Sequence, residues 1–379
     1  MHCLIFDLNN HFICIPLRKI LNEIMKKTLL VDLSELKNLY CGLGQVALSY
    51  GNHFRKTYRK SEANYSLTLL MPKKMFGMFG NEENYLNSRH PLRRLHRWFF
   101  PVFDIWHSTH QLSRFKPPYS RSKQTKLILT IHDLNYLYET KGKRRKRKHR
   151  RLQKKVDRAD EIVCISEFAK QDVEKNLQLN GKKCRVIYNG VSNISIKPSA
   201  KPNVDINKPF FFSIGVLNVK KNFHVLLDMM KLMPEKHLYL AGMSNTEYGM
   251  LIKKRIKDES INNITLLGPV SAEEKVWLFA NCEAFLFPSL FEGFGLPVIE
   301  AMQFGKPVFS SQKTSLKEIG GDFAYFWDNF EANEMKDIIE NNLKEFYSDK
   351  DLIARQIEYA NSFSYKKHFD EYEKLYSEI

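Results

Sequence analysis

Two α/β domains joined by a polar linker are what this chain predicts, and three observations carry that expectation. At 379 residues it exceeds what one hydrophobic core usually serves. Short apolar runs of strand character alternate with stretches of helical spacing along most of its length. Near the middle the alternation stops. Residues 192–208 are rich in serine, asparagine and lysine, with Pro198, Pro202 and then Pro209, and read as a linker. The organisation expected is an extension over 1–27, a first domain over 28–190, a linker over 191–208, a second domain over 209–360 and a terminal helix over 361–379.

Composition narrows the class. A hydrophobic content of 43% is ordinary for a folded chain, whereas a net charge of +17 asks for an acidic partner or surface. The cysteines at 3, 14, 41, 164, 184 and 282 include no CxxC, which indicates neither a zinc site nor a disulfide scaffold and points to a reducing cytosol. No apolar run approaches the roughly 20 residues of a spanning helix. Asp7, Asn9, Asn10 and His11 interrupt the apolar N-terminal segment and argue against a secretory signal. Met25 to Asp32 reads like a natural beginning, so residues 1–24 are expected to be an over-extended start or a loose appendage.

In the first half, Thr28–Leu33 predicts a strand, and Cys41-Gly42-Leu43-Gly44 opens a helix reaching about Tyr58. Ser66–Met71 predicts a second strand, and residues 75–103 show no clean period and are expected to be loop with a short helix. Asp104–His107 and Lys126–Ile131 are the next strands, the latter running into His132 and Asp133. A histidine there points into the crevice where open α/β sheets bind ligands, or else satisfies a local backbone group. The run Lys141 to Arg151, continued by Lys154 and Lys155, leads into a helix ending near Ala159. It reads as a solvated face, a docking face for an anionic membrane or lipid-linked acceptor, or a nucleic-acid site, and its lack of interleaved aromatics counts against the last. Each cation near an anionic bilayer contributes on the order of 1 kcal/mol. Arg93, Arg94 and Arg97 beside Trp98, Phe99 and Phe100 form a second basic patch suited to an interface. Glu161–Ile165, a helix capped by Ser166, and a strand over Cys184–Tyr188 complete this half.

The second half opens with a strand over Pro209–Ile214 and a turn carrying Lys220 and Lys221, which can neutralise a leaving diphosphate, then a helix over Phe223–Met233. Strand, helix and strand follow over 237–241, 245–258 and 263–267, and Ser271 with Glu274 predicts a capping box. Next come Ala284–Phe287, too short for a helix, a polar elbow containing Glu292, Gly293, Phe294 and Gly295, and a helix over Leu296–Phe304 with Pro297 early in it. Such an elbow offers amide donors and the positive end of a helix dipole, about half a charge, and its glycines let an anion or sugar approach the main chain. Glu292 and Glu300, with seven residues between them, are expected to face one cleft. Amides for phosphate and carboxylates for hydroxyls suit a nucleotide sugar. Asp349-Lys350-Asp351 has no strand before it and is read as chance, so no metal site is expected.

The run FEGFGLPVIEAM, with Glu292-x7-Glu300, resembles the donor-site motif of retaining glycosyltransferases of the family 4 (glycosyl transferases group 1) type, similar to bacterial mannosyltransferases. GVLNVKKN resembles the family's G-x-L-x-x-R-K-N, with Lys220 in the usual arginine place, Lys221 on the lysine, and Val216 where some relatives carry another arginine. ISEFAKQDV, VIYNGV and the T-x-H-D at His132 also have counterparts there. The resemblance implies the GT-B architecture, two Rossmann-like doubly wound domains facing a central cleft, with the last helix crossing back to the first. It implies that Glu300 holds the ribose, Glu292 the donor sugar, and Gly293, Phe294, Gly295 and Leu296 the phosphate and sugar oxygens. Gly42 and Gly44 would lie under the donor phosphates, and His132 would line the active site. It further implies metal-independent, retaining transfer with no cofactor beyond the nucleotide sugar, GDP-mannose before UDP-sugars. The acceptor would be a glycan or lipid-linked glycan of surface polysaccharide or lipopolysaccharide synthesis, at the inner face of the cytoplasmic membrane. A small soluble acceptor, a nucleic-acid-binding protein built on 141–155, and a non-catalytic carbohydrate-binding relative are the other readings.

Overall fold

The computed structural model describes residues 26–39, 42–81, 83–88, 101–118, 124–195, 197–206 and 208–379, and the backbone of 3–8 and 11–16. Arg93, Arg94 and Arg97 lie outside the described residues. So do residues 1, 2, 9, 10 and 17–25 of the expected N-terminal extension, while the backbones of β1 (Cys3–Leu8) and β2 (His11–Pro16) pair antiparallel.

Seven parallel strands form the first sheet: β3 (Lys27–Asp32), β4 (Tyr65–Met71), β5 (Asn84–Asn87), β6 (Ile105–Ser108), β7 (Lys126–Ile131), β8 (Glu161–Cys164) and β9 (Cys184–Val186). Their order is β5-β4-β3-β6-β7-β8-β9. The central strands are continuous apolar runs because helices cover both faces, and Leu29, Leu30, Val31, Ile128 and Leu129 are buried. Among the described residues the α-helices of this half are α1 (Gly42–Thr57), the single turn α2 (Tyr136–Glu139), α3 (Gly142–Arg158) and α4 (Glu167–Asn176).

β5 corrects the expectation of loop and short helix at residues 84–87, whereas residues 89–100 of that stretch lie outside the described residues. Its four residues, Asn84-Tyr85-Leu86-Asn87, carry too little pattern to be recognised, and they become a strand by pairing with the open edge of β4. The basic tract is also less uniform than its composition. Arg144, Arg145, Arg147 and Arg151 are exposed on α3, while Leu152 and Val156 are buried on its other side and Lys155 is part-buried with them.

The second sheet is again parallel, in the order β12-β11-β10-β13-β14-β15. Its strands are β10 (Phe210–Ile214), β11 (His237–Ala241), β12 (Ile264–Gly268), β13 (Ala284–Phe287), β14 (Val308–Ser311) and β15 (Ala324–Trp327). Between them run α5 (His224–Lys231), α6 (Glu247–Asp258), α7 (Ala272–Asn281), α8 (Leu296–Met302) and α9 (Leu316–Gly320). After the sheet come α10 (Ala332–Ser348), α11 (Lys350–Ser362) and α12 (Tyr365–Glu378). Ser271 and Glu274 close a reciprocal capping box on α7, and the Asp349 carboxylate caps α11 by accepting from the Leu352 amide at 2.8 Å.

α12 packs on the first sheet rather than the second. Phe369, Tyr372, Leu375 and Tyr376 are buried there with Leu29, Val31 and Ile128. The Tyr376 hydroxyl meets His107 Nδ1 at 2.7 Å and the Tyr372 hydroxyl meets Thr130 Oγ1 at 2.8 Å, so the polar ends of these rings are satisfied inside the core. Two further contacts join the halves at the start of α4. The Glu318 carboxylate of α9 accepts from the amides of Glu167 and Phe168 at 2.8 and 2.9 Å, taking up two of the helix's unpaired donors. Ser166 Oγ accepts from the Ala169 amide as N-cap and donates to the Gly293 carbonyl at 2.9 Å.

Replacing Glu318 with alanine removes the cross-domain cap, a loss of about 1 kcal/mol, together with its contact to Tyr188. Hydrogen exchange at the start of α4 should speed up several-fold while the central strands keep their protection. Unchanged exchange at Glu167 and Phe168 would show that the cap does not hold the halves together.

Candidate active site

Each sheet has one place where strand order reverses, between β3 and β6 in the first and between β10 and β13 in the second. Crevices open at the carboxyl ends of such strands. The loop after β10 and the elbow after β13 therefore meet, although some seventy residues separate them in the chain (|i−j| is 71 for Lys221 and Glu292).

There Lys221 Nζ donates to Glu292 Oε1 at 2.6 Å, with side-chain exposures of 12% and 15%. Ser289 Oγ donates to the same carboxylate oxygen at 2.6 Å, and Lys221 Nζ lies 4.5 Å from the centre of the Phe287 ring. Burial alone would raise the Glu292 pKa, but the charges of Lys221 and Lys220 and the hydrogen bonds from Lys221 and Ser289 outweigh it and hold the carboxylate below its ordinary range. Gly215, at φ +157, leaves room for the Lys221 stem, since a Cβ there would sit 2.8 Å from Lys221 Cε. Asn222 ends the turn in the left-handed region at φ 57, a conformation that asparagine tolerates. The Lys220 carbonyl accepts from the Leu290 amide at 2.7 Å, so the lysine turn and the elbow are one unit.

The elbow is held from behind by a loop whose role the chain alone does not reveal. Thr314 Oγ1 accepts from the Glu292 amide at 3.0 Å, and Ser315 Oγ donates to the carbonyls of Glu292 and Phe294 at 3.1 and 2.9 Å. The amides of Gly293, Phe294, Gly295 and Leu296 donate to no carbonyl or side chain among the described residues. They are the donors an anion would use. The Phe294 ring itself is buried against Tyr188 and Phe363, so only its main chain can serve a ligand. Gly295, at φ +110, is the N-cap of α8.

Across the crevice stands His132, at the end of β7. A Cβ on Gly293 would lie 2.3 Å from the His132 carbonyl oxygen, so this glycine is required by the approach of the first domain as much as by any ligand. His132 Nε2 lies 2.8 Å from the Thr109 carbonyl, which can only accept, so Nε2 carries the proton and Nδ1 the lone pair. Burial lowers the His132 pKa and keeps the ring neutral. Tyr138 stacks on Phe291 with ring centres 5.0 Å apart, and Lys220 Nζ lies 3.6 Å from Glu139. Glu292, Gly293, Lys220 and Lys221 are thus together, with the His132 main chain against Gly293.

Glu300 and the first-domain glycines sit differently. Glu300 Oε1 accepts from Lys275 Nζ at 2.7 Å, an α7 partner with no motif to announce it. Gly44 is needed for packing, since a Cβ there would lie 1.9 Å from the Asn38 carbonyl oxygen, while around Gly42 there is open space. A cavity of about 220 Å³ lined by Tyr188, Glu318, Tyr359, Lys367 and His368 contains none of the elbow residues.

Known proteins resemble both halves. The family described as Glycosyltransferase Family 4 matches residues 56–193, and the one described as Glycosyl transferases group 1 matches residues 196–363. The O-antigen chain mannosyltransferase RfbU of Salmonella typhimurium is 27% identical over 216 residues, which span 56% of this chain and 60% of that protein. The O-antigen chain mannosyltransferase B of Escherichia coli is 26% identical over 255 residues, 63% of this chain and 67% of that one. The chain therefore aligns to about two thirds or less of these relatives' own length. Among solved structures, sucrose-phosphate synthase from Thermosynechococcus elongatus superposes with a TM-score of 0.73 at 15% identity, covering 93% of this chain and 99% of that one, a likeness of fold.

The Lys221 and Glu292 pair sets an acid-sensitive contribution to stability. Because the Glu292 pKa lies below its ordinary 4.5, that contribution is complete above 4.5 and is lost as pH falls through the lower folded value. Lys221→Met should cost on the order of 2 kcal/mol at pH 7, read as a melting temperature several degrees lower, with the gap to wild type closing towards pH 3. A gap independent of pH would contradict the pairing.

Proposed function

Because this chain belongs to the GT-B glycosyltransferases that join a Family 4 half to a group 1 half, we propose that it transfers a hexosyl residue, mannose first, from a nucleotide sugar to a surface glycan or lipid-linked glycan. The observation that carries this reading is the Lys221 and Glu292 pair at the switch point of the second sheet, facing His132 across Gly293. The relatives' description as O-antigen chain mannosyltransferases supports the choice of mannose and of the acceptor class. The donor follows as GDP-mannose, with UDP-sugars next, and no cofactor besides.

In this reading transfer is retaining and uses no metal. As the bond from the anomeric carbon to the phosphate oxygen breaks, the acceptor oxygen attacks from the same face and its proton passes to the departing phosphate. The negative charge of the leaving diphosphate is met by Lys220, Lys221 and the open amides of 293–296, which are placed before the reaction begins. Lys221 exchanges Glu292 for phosphate as the donor enters, and the released carboxylate takes sugar hydroxyls. His132 Nδ1 accepts from a further hydroxyl. Glu300 turns from Lys275 to the ribose.

The exposed arginines of α3 dock the enzyme on the anionic surface that carries the acceptor, at the inner face of the cytoplasmic membrane. Among the described residues no helix is long and apolar enough to cross that membrane. Co-sedimentation with phosphatidylglycerol vesicles should fall steeply as salt is raised, and replacing Arg144, Arg147 and Arg151 with serine should reduce it at low salt. Absence of binding to anionic vesicles, or tighter binding to duplex DNA, would remove the membrane assignment.

Glu292→Ala should lower mannose transfer from GDP-mannose by at least about 100-fold without unfolding the chain, and Lys221→Ala should lower it comparably. Thermal shifts with GDP, UDP and ADP identify the base. Near-normal turnover in either variant would overturn the site.

A further inference from the structure

The loop after β6 holds His132 in two places and the adjoining Asp133 in a third, and the basic helix holds that loop. Gln111, 6% exposed, accepts from the His132 amide through Oε1 at 3.0 Å and donates from Nε2 to the Asp133 carbonyl at 2.9 Å. Its side-chain amide thus bridges the His132 amide and the Asp133 carbonyl. Thr109 supplies the carbonyl that fixes the imidazole tautomer. The loop is itself anchored by Lys155, whose Nζ donates to the carbonyl of Gln111 at 2.6 Å and to that of Ser113. Asp32 holds the same segment by accepting from the Ser113 hydroxyl and, at its carbonyl, from Thr109 Oγ1 at 2.6 Å.

We propose that Gln111 and Lys155 are positioning residues for His132, so that the inner side of α3 sets the orientation of the ring whose Nδ1 meets the donor sugar. The proposal rests on the reading of His132 given above. Lys155 closes the basic run, yet its ammonium is spent on backbone carbonyls and not on an outside partner. Burial pushes its pKa down to about 8, and the neutral amine still has two protons to donate, so both contacts survive loss of the charge. A displacement of about 1 Å in a group at the reacting centre costs on the order of 100-fold in rate.

The test uses the full chain with nitrogen-15 in its 12 histidines. His132→Ala identifies the His132 signals by their loss. In wild type they should show a single tautomer protonated on Nε2. In Gln111→Met and in Lys155→Met, each close in volume and without the polar contacts, they should average towards a mixture, with kcat on GDP-mannose down ten- to a hundredfold and KM within about twofold. Gln111→Glu, which keeps the acceptor for the His132 amide and loses the donor to Asp133, replaces Gln111→Met if that variant does not fold. Unchanged wild-type signals in both variants would overturn the positioning role whatever the activity. An altered tautomer with wild-type kcat would instead overturn the placing of His132 at the reacting centre.

Discussion

The contact on which the rest of the architecture depends is the ion pair between Lys221 and Glu292. Two opposite charges removed from most of their water are costly unless paired and hydrogen-bonded, and here Ser289 and the Phe287 ring complete the pairing. In the proposed reading the pair keeps the ammonium in place until a diphosphate replaces the carboxylate as its partner. This requires β10 and β13 to be neighbours, which the winding order of the second sheet arranges.

The same elbow is where the first domain rests. The His132 carbonyl against Gly293, the Ser166 hydroxyl on the Gly293 carbonyl, and the Tyr138 ring on Phe291 all fall on two residues of the elbow, Phe291 and Gly293. Glu318 adds a cap from α9. Each of these is worth on the order of 1 kcal/mol.

Helix α3 joins the two roles suggested by the strong positive charge. Its outer face is a run of exposed arginines and lysines, and its inner face buries Leu152 and Val156 and directs Lys155 to the loop that carries Gln111. A single charged stretch thus contains a surface and a strut, which composition cannot separate because the difference lies in the 3.6-residue period that turns Lys155 inward.

What could be read from residue order was whatever depends on local spacing. Apolar runs located the buried strands, Ser271 with Glu274 announced a cap, and the elbow from Phe291 to Leu296 declared a turn with free amides before a helix. The linear chain could not show what long-range pairing created. Asn84–Asn87 is a strand only because β4 offers an edge, and Thr314, Ser315, Lys275 and Gln111 are ordinary polar residues until the fold sets them behind the elbow, on Glu300 or beside His132. Gly293 marks the boundary between the two kinds of information. Its lack of a side chain suggested access for a ligand, and only the packed domains disclosed that a carbonyl from the opposite half occupies the place a Cβ would take.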